Sequence, residues 1–283
     1  GNNVDAVVVV DKVGDPNKIV SGTTEITKSP ERLLLAEMIA EFLDKAGIMK
    51  DGFSFQAGAG GIALAFVLFL KERMKKKGVK ARFVRGGSTK YLVEMLNEGL
   101  TDYILDGQTF DLYGVGSMRD NPRHVATSPF TSYNYNGKGF FGTMLDAVVL
   151  GATEVDVNFN ANVVTHSDGR LLHGIGGWQN CLFSNCTILA VPSVRDRIPV
   201  IVDEVTTLTG PGELIDVVAT ERGLCINPKR KDLLDAVKGS GLPIKDIREL
   251  QKETYDICGG KPNPPKRSSC RQRSQALRQS CSV

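Results

Sequence analysis

The chain has 283 residues, 41% of them hydrophobic and 24% charged, which is enough to bury one large α/β core and too apolar for a disordered chain. No apolar run approaches the ~20 residues of a membrane span and no basic-then-apolar leader opens the sequence, so a cytoplasmic protein without membrane contact is expected. Residues 261–283 hold six Lys/Arg and no Asp/Glu; removing them from the net charge of +3 leaves residues 1–260 at −3. A mildly acidic body, with a tail that lacks aromatics to stack on bases, argues against nucleic acid.

In chain order, "DAVVVV" (5–10) reads as a buried strand. "SPERLLLAEMIAEFLDKAG" reads as a helix capped by Ser29, with Pro30 and Glu31 in its first turn and Leu34, Met38 and Phe42 on one face. A strand over 53–57, a glycine turn and a helix to about Lys77 follow. "ARFVRGG" is then a strand, "TKYLVEMLNEG" a helix and "DYILDG" a strand. This alternation predicts a mostly parallel sheet covered by helices. Beyond Asp111, "SPFTSYNYNGKGFFG" reads as a loop, and short strands continue to "GLCIN" before a helix in "KRKDLLDAVKGSG". One α/β domain over 1–260 and a disordered or aberrant basic tail over 261–283 is the simplest partition. The six cysteines form no C-x-x-C pair, so reduced thiols and no metal are expected.

"FSFQAGAGGIALAFV" carries the main signal. Gly58, Gly60 and Gly61 sit between a strand and a helix, where bare backbone admits a ligand and free N–H groups face negative charge. The pattern also fits a dinucleotide-binding turn. The next strand, however, offers Arg82 and Arg85 and no acid for a ribose, leaving an NADP-dependent oxidoreductase as a lesser alternative and a tight structural turn as another. "HGIGGWQN" holds Gly176 and Gly177 beside the single tryptophan and the amides Gln179 and Asn180, which can orient carbonyl or carboxylate groups. "VDVNFNANV" would put Asn158, Asn160 and Asn162 on one side of a strand. His166, Asp168 and His173 lack a standard metal spacing.

Taken together, "DKVGDPNKIVSGTT", the glycine turn, "RFVRGGSTKYLVEMLNEGLTDYILDGQTFDL", "FTSYNYNGKG", "VLGATEVDVNFNANVVTHSDGRLLHGIGGWQN" and "RDRIPVIVDEVTTLTGPGELIDVVATERG" resemble the citrate lyase alpha chain family over residues 1 to about 260. The resemblance implies a CoA-transferase-like α/β fold and about half of a two-lobed chain. It implies citrate CoA-transferase chemistry, in which acetyl is exchanged for citryl on an acyl-carrier thioester and acetate leaves. The thioester would ride on the CoA-like prosthetic group of the gamma (acyl carrier) subunit, or on CoA as surrogate, with no cofactor bound by this chain itself. Citrate and the acetyl thioester would be the substrates, and the beta (lyase) and gamma subunits its partners in a large hetero-oligomer. In that reading Gly58, Gly60 and Gly61 stabilise an oxyanion, while Arg85, Gly86, Gly87, Asn160, Gly176, Gly177, Gln179 and Asn180 bind substrate. Related transferases use a covalent glutamate, and "ARFVRGGS" has none. The competing reading is a non-catalytic assembly half that needs the other lobe for chemistry.

Overall fold

Eight strands form the large sheet, which the chain starts in the middle and builds outward twice. In the computed structural model, which describes residues 4–15, 24–134, 140–172 and 174–261, helix α1 (Pro30–Lys45) comes first. It is followed by β1 (Phe53–Ala57), α2 (Gly61–Lys77), β2 (Ala81–Ser88), α3 (Lys90–Asn97), β3 (Thr101–Thr109), α4 (Leu112–Asp120), β4 (His124–Ala126) and the short α5 (Pro129–Tyr133). Next come β5 (Ala147–Leu150), β6 (Glu154–Asp156), β7 (Ala161–Asn162), β8 (Thr187–Ala190), β9 (Val194–Arg195), β10 (Ile198–Pro199), β11 (Ile201–Val202), β12 (Val217–Thr220) and β13 (Gly223–Ile226). Helices α6 (Lys231–Ala236) and α7 (Ile247–Cys258) close the described fold. The large sheet runs in the order β13-β12-β8-β5-β1-β2-β3-β4, with all pairings parallel except β12 with β13.

Period-two alternation sends neighbouring strand residues to two separate cores. Val149, Ile188 and Val217 pack with the faces of α1, α2 and α3. Val148, Leu189 and Val218 pack on the other side, with Ile201, Ile247 and Leu250. Both faces are covered, so β5, β8, β12 and β13 are buried at every position, as a helix-covered parallel sheet requires. β6, β7 and β11 form a small sheet on the second face. Among the described residues no helix is long and apolar enough to cross a membrane.

Several expectations change. Residues 5–10 are not a buried strand: Val7, Val8 and Val9 are 81%, 81% and 93% exposed, with no pairing partner. Apolar β-prone sequence becomes a strand only when an edge is there to receive it. In α1 the buried stripe runs through Leu35, Met38, Ile39 and Phe42, and Leu34 lies outside it, half exposed. The supposed loop from Ser128 contains α5, because Ser128 caps it by accepting the Thr131 N–H; residues 135–139 fall outside the described residues, as does the tail from 262. Helices α4 and α7 carry N-caps at Asp111 and Asp246 that composition alone did not reveal.

The asparagine row is the clearest correction. Asn158 and Asn160 lie in a tight turn between β6 and β7, where Phe159 takes φ +66°. The buried Asp156 carboxylate ties that turn, accepting the Asn158 and Asn160 N–H groups at 2.9 and 3.0 Å and the Asn160 side-chain amide at 3.0 Å. Asn160 Oδ1 in turn accepts the Gly212 N–H at 2.8 Å. Asp156→Ala leaves these part-buried donors without their acceptor and is expected to cost about 2 kcal/mol, read as a lower urea midpoint at unchanged slope. An unchanged midpoint contradicts this role.

Candidate functional site

In an open parallel sheet, ligands bind beyond the carboxyl ends of the strands, where the direction of building reverses. Here that point is β1, flanked by β2 on one side and β5 on the other. The carboxyl ends of these strands deliver Gly58, Gly86 with Gly87, and Gly151 to one place. A cleft of about 990 Å³ opens there, walled by the end of β3 with Phe110, by residues of 163–172 and 174–178, and by Arg195.

The glycines divide into two kinds. Gly86 has φ +122° and a Cβ there would lie 2.5 Å from the Ala57 carbonyl oxygen; a Cβ on Gly87 would overlap the Phe110 ring at 1.7 Å. These two are bare because β1 and Phe110 press on them. At Gly60 a Cβ would meet nothing within 4 Å, and at Gly58 only Ala63 Cβ at 3.9 Å, with neither residue in the left-handed region. Neither packing nor backbone conformation among the described residues demands glycine there. The space their side chains would take is cleft. Gly60 is also the N-cap of α2 and supplies no capping side chain, so the first-turn N–H groups are left for another partner. Gly61 belongs to the packed kind, since a Cβ there would approach the backbone of Thr27 and Glu25 at 3.0 and 3.1 Å.

Arg85 on β2 is buried, 4% exposed, yet lines the cleft. Its Nη1 donates to Gln56 Oε1 at 3.4 Å, and its guanidinium carbon lies 5.6 Å from the centre of the Phe141 ring. Gln56 in turn donates through Nε2 to Cys181 Sγ at 2.6 Å. Burial pushes the Cys181 thiol up to about 11, against the opposing pull of Arg85 and Gln56, so the thiol stays protonated and serves as an acceptor. Trp178 donates through Nε1 to the Gly151 carbonyl at 2.8 Å, fixing an apolar wall. Arg195 donates to the carbonyls of Thr153 and Ala152 at 2.7 and 2.6 Å.

Buried Asp106 ties the carboxyl end of β3. It accepts the Ser88 and Thr109 hydroxyls at 2.7 Å and the Gln108 N–H at 2.8 Å, with His124 Nε2 3.4 Å away. Burial raises its pKa, but His124 and these hydrogen bonds outweigh burial and hold the carboxyl below its usual range. Among the described residues no Asp or Glu lines the cleft, and no group of three His, Cys, Asp or Glu side chains is placed to hold a metal.

Of the residues expected at the site, Gly58, Gly60, Arg85, Gly86, Gly87 and Gly177 line the cleft. Gly61 lines an adjoining recess. Asn160, Gly176, Gln179 and Asn180 do not line it: Asn160 is committed to its turn, Gln179 is exposed at the start of a short 3-10 helix and Asn180 is on the buried side of the same helix. His166 lines the cleft, and His173 lies outside the described residues. Gln56, Phe110, Cys181 and Arg195 were missed. Gln56 had a readable signal, a polar residue inside an apolar strand one step before the turn.

The sequence model of the family described as citrate lyase, alpha subunit (CitF), matches residues 1–271. The chain belongs to the citrate lyase alpha subunit family. Citrate lyase alpha chains from Haemophilus influenzae and Klebsiella pneumoniae are 40% and 39% identical over 259 and 264 residues, which is 91% and 93% of this chain. This chain spans about half the length of those relatives, 52% of each. A Streptococcus mutans structure described as the alpha subunit of citrate lyase in complex with citrate aligns at a TM-score of 0.88 and 42% identity, covering 92% of this chain and 51% of that one. A malonate decarboxylase hetero-tetramer from Pseudomonas, at 19% identity and a TM-score of 0.57 over 88% of this chain and 59% of that one, shares the fold alone.

The two kinds of glycine in this citrate lyase alpha family member separate by experiment. Gly58→Ala is expected to leave stability within about 0.5 kcal/mol of the parent while placing a methyl group in the cleft. Gly86→Ala meets strained φ and a carbonyl at 2.5 Å and is expected to lose about 2 kcal/mol or more. Thermal melts check both, and equal losses would contradict the distinction.

Proposed function

We propose that this chain carries the carboxylate-activating half of a citrate CoA-transferase site, exchanging acetyl for citryl on a carrier thioester. The observation that carries the reading is the switch-point cleft, in which unforced glycine backbone at Gly58 and Gly60 and the uncapped start of α2 meet the buried Arg85 guanidinium. The absence of Asp and Glu from the described lining supports it twice. A trianion enters without like-charge repulsion from that lining, and among the described residues no carboxylate lines the cleft to act as the nucleophile.

The substrate then supplies the nucleophile. A citrate carboxylate oxygen attacks the acetyl thioester carbonyl, forming a C–O bond and placing negative charge on the carbonyl oxygen. N–H groups at the glycine turn are positioned for that charge, in a site where preorganised donors act without reorganising. The C–S bond breaks, leaving a citryl–acetyl anhydride and a thiolate. The thiolate attacks the citryl carbonyl, and acetate departs. Arg85 supplies bidentate charge-assisted hydrogen bonds to a citrate carboxylate and fixes its approach. Trp178 and Phe110 wall the path of the thioester arm. The carrier is the gamma subunit's prosthetic group, with CoA as surrogate, and the beta subunit consumes the citryl thioester.

The 51–52% coverage of the relatives favours a second reading, that this half binds substrate and the other half is needed for turnover. Acetate release from an acetylated carrier, or from acetyl-CoA, on adding citrate distinguishes the two when assayed with this chain alone and with the other half supplied. Arg85→Gln is expected to lower kcat/KM about 100-fold, a loss of roughly 3 kcal/mol of transition-state stabilisation. No citrate-dependent release under either condition, with folding intact, overturns the proposal.

A further inference from the structure

Beside the main cleft, across the glycine turn, lies a second and smaller recess of about 270 Å³. Two guanidinium side chains line it, Arg32 from the first turn of α1 and Arg195 from β9, with Ile62, Pro192 and the Gly60–Gly61 backbone. Among the described residues neither arginine makes an ion pair, and no Asp or Glu lines the recess. The acids near them are spent elsewhere. Glu31, next to Arg32 in sequence, accepts the Ser29 hydroxyl at 2.6 Å. Glu154, which acts on Arg195 through the interior, is occupied by Asn162 and Thr206.

Two cations lining one recess that no acid among the described residues lines are mutually unfavourable: burial first, and then the Arg32 charge, lower the Arg195 pKa, with Glu154 opposing. Arg195 commits two bonds to carbonyls and its guanidinium has five donors. A single anion placed between the two arginines removes the repulsion and gains charge-assisted hydrogen bonds from both. The open first turn of α2 adds to that preference without being needed for it.

We infer that Arg32 and Arg195 form a second anion subsite, separate from the carboxylate subsite at Arg85, that takes the phosphate group of a phosphorylated ligand. A phosphate or pyrophosphate matches two guanidinium groups in charge and in number of acceptor oxygens, whereas one carboxylate matches one. The recess shares Gly58, Gly60, Leu150, Gly151 and Arg195 with the main cleft, so one elongated ligand can hold its phosphate here and reach the Arg85 cleft with its other end. Only that last connection rests on the transfer reading; the subsite itself does not.

The test is calorimetric titration of the chain with inorganic pyrophosphate, CoA, pantetheine and citrate, using the parent and Arg32→Gln. Arg32 is an exposed residue of the first turn of α1, so its loss leaves the core intact. Arg32→Gln is expected to weaken pyrophosphate and CoA roughly tenfold and to leave pantetheine, which has no phosphate, and citrate unchanged. Arg32→Glu is expected to abolish pyrophosphate binding. CoA weakened with pantetheine unchanged assigns the subsite to the phosphate end of a thioester carrier. Pyrophosphate weakened with CoA unchanged assigns it to a free phosphorylated ligand. Pyrophosphate and CoA both unaffected by either substitution, or citrate weakened as much as they are, overturns the inference. Failed acyl exchange alongside Arg32-dependent pyrophosphate binding would remove the transfer reading and leave the subsite standing.

Discussion

The position of β1 between β2 and β5 is the constraint on which the rest depends. Parallel strands end at the same edge of a sheet, and the connections on either side of β1 depart in opposite directions, so no connecting loop fills the gap beyond its end. Burial of the sheet on both faces holds that geometry. The helices α1, α2 and α3 cover one side and the small sheet of β6, β7 and β11 with α7 the other, and neither layer can shift without exposing a core. Within this frame the glycine turn needs no special support. Its backbone is simply where β1 must end and α2 must begin.

Buried carboxylates do the supporting work around the cleft. Asp106 ties the carboxyl end of β3 and Asp156 the 157–160 turn. Glu154 accepts the Asn162 amide and the Thr206 N–H. Each acid is directed at backbone, hydroxyl or side-chain amide donors inside the protein rather than at the cleft. The negative charge that loops need for order is thereby kept out of a site whose proposed ligands are anions. The cations are distributed the other way, with Arg85, Arg32 and Arg195 lining the cleft and its recess.

The regular first half was legible because its signals are local. Ser29-Pro30-Glu31 and Gly78 fix helix ends through capping, and the apolar runs of β1 to β3 have the lengths of strands. The glycine turn was legible for the same reason. What was not legible depended on partners distant in sequence. The valines at 7–10 have the composition of a strand but no neighbour in the described fold, and composition cannot supply a neighbour. The asparagines at 158 and 160 alternate like a strand, yet Asp156 folds the chain back over Phe159, a φ that sequence spacing does not encode. Arg195 and Cys181 reach the cleft only because β5 pairs with β1 and β8 with β5, which brings the segments that follow those strands to the end of β1. The different reasons for Gly58 and Gly86 required knowing what a Cβ would touch.

The central claim, that the unforced glycine backbone at the end of β1 receives the reacting ligand, is tested most directly by amide hydrogen exchange across the chain with and without citrate and acetyl-CoA together. Protection is expected to rise at the amides of 58–63 and at 85–87, while the β12–β13 edge is unchanged. Ligand-induced protection confined to other segments, with 58–63 exchanging as in the free chain, would contradict the account.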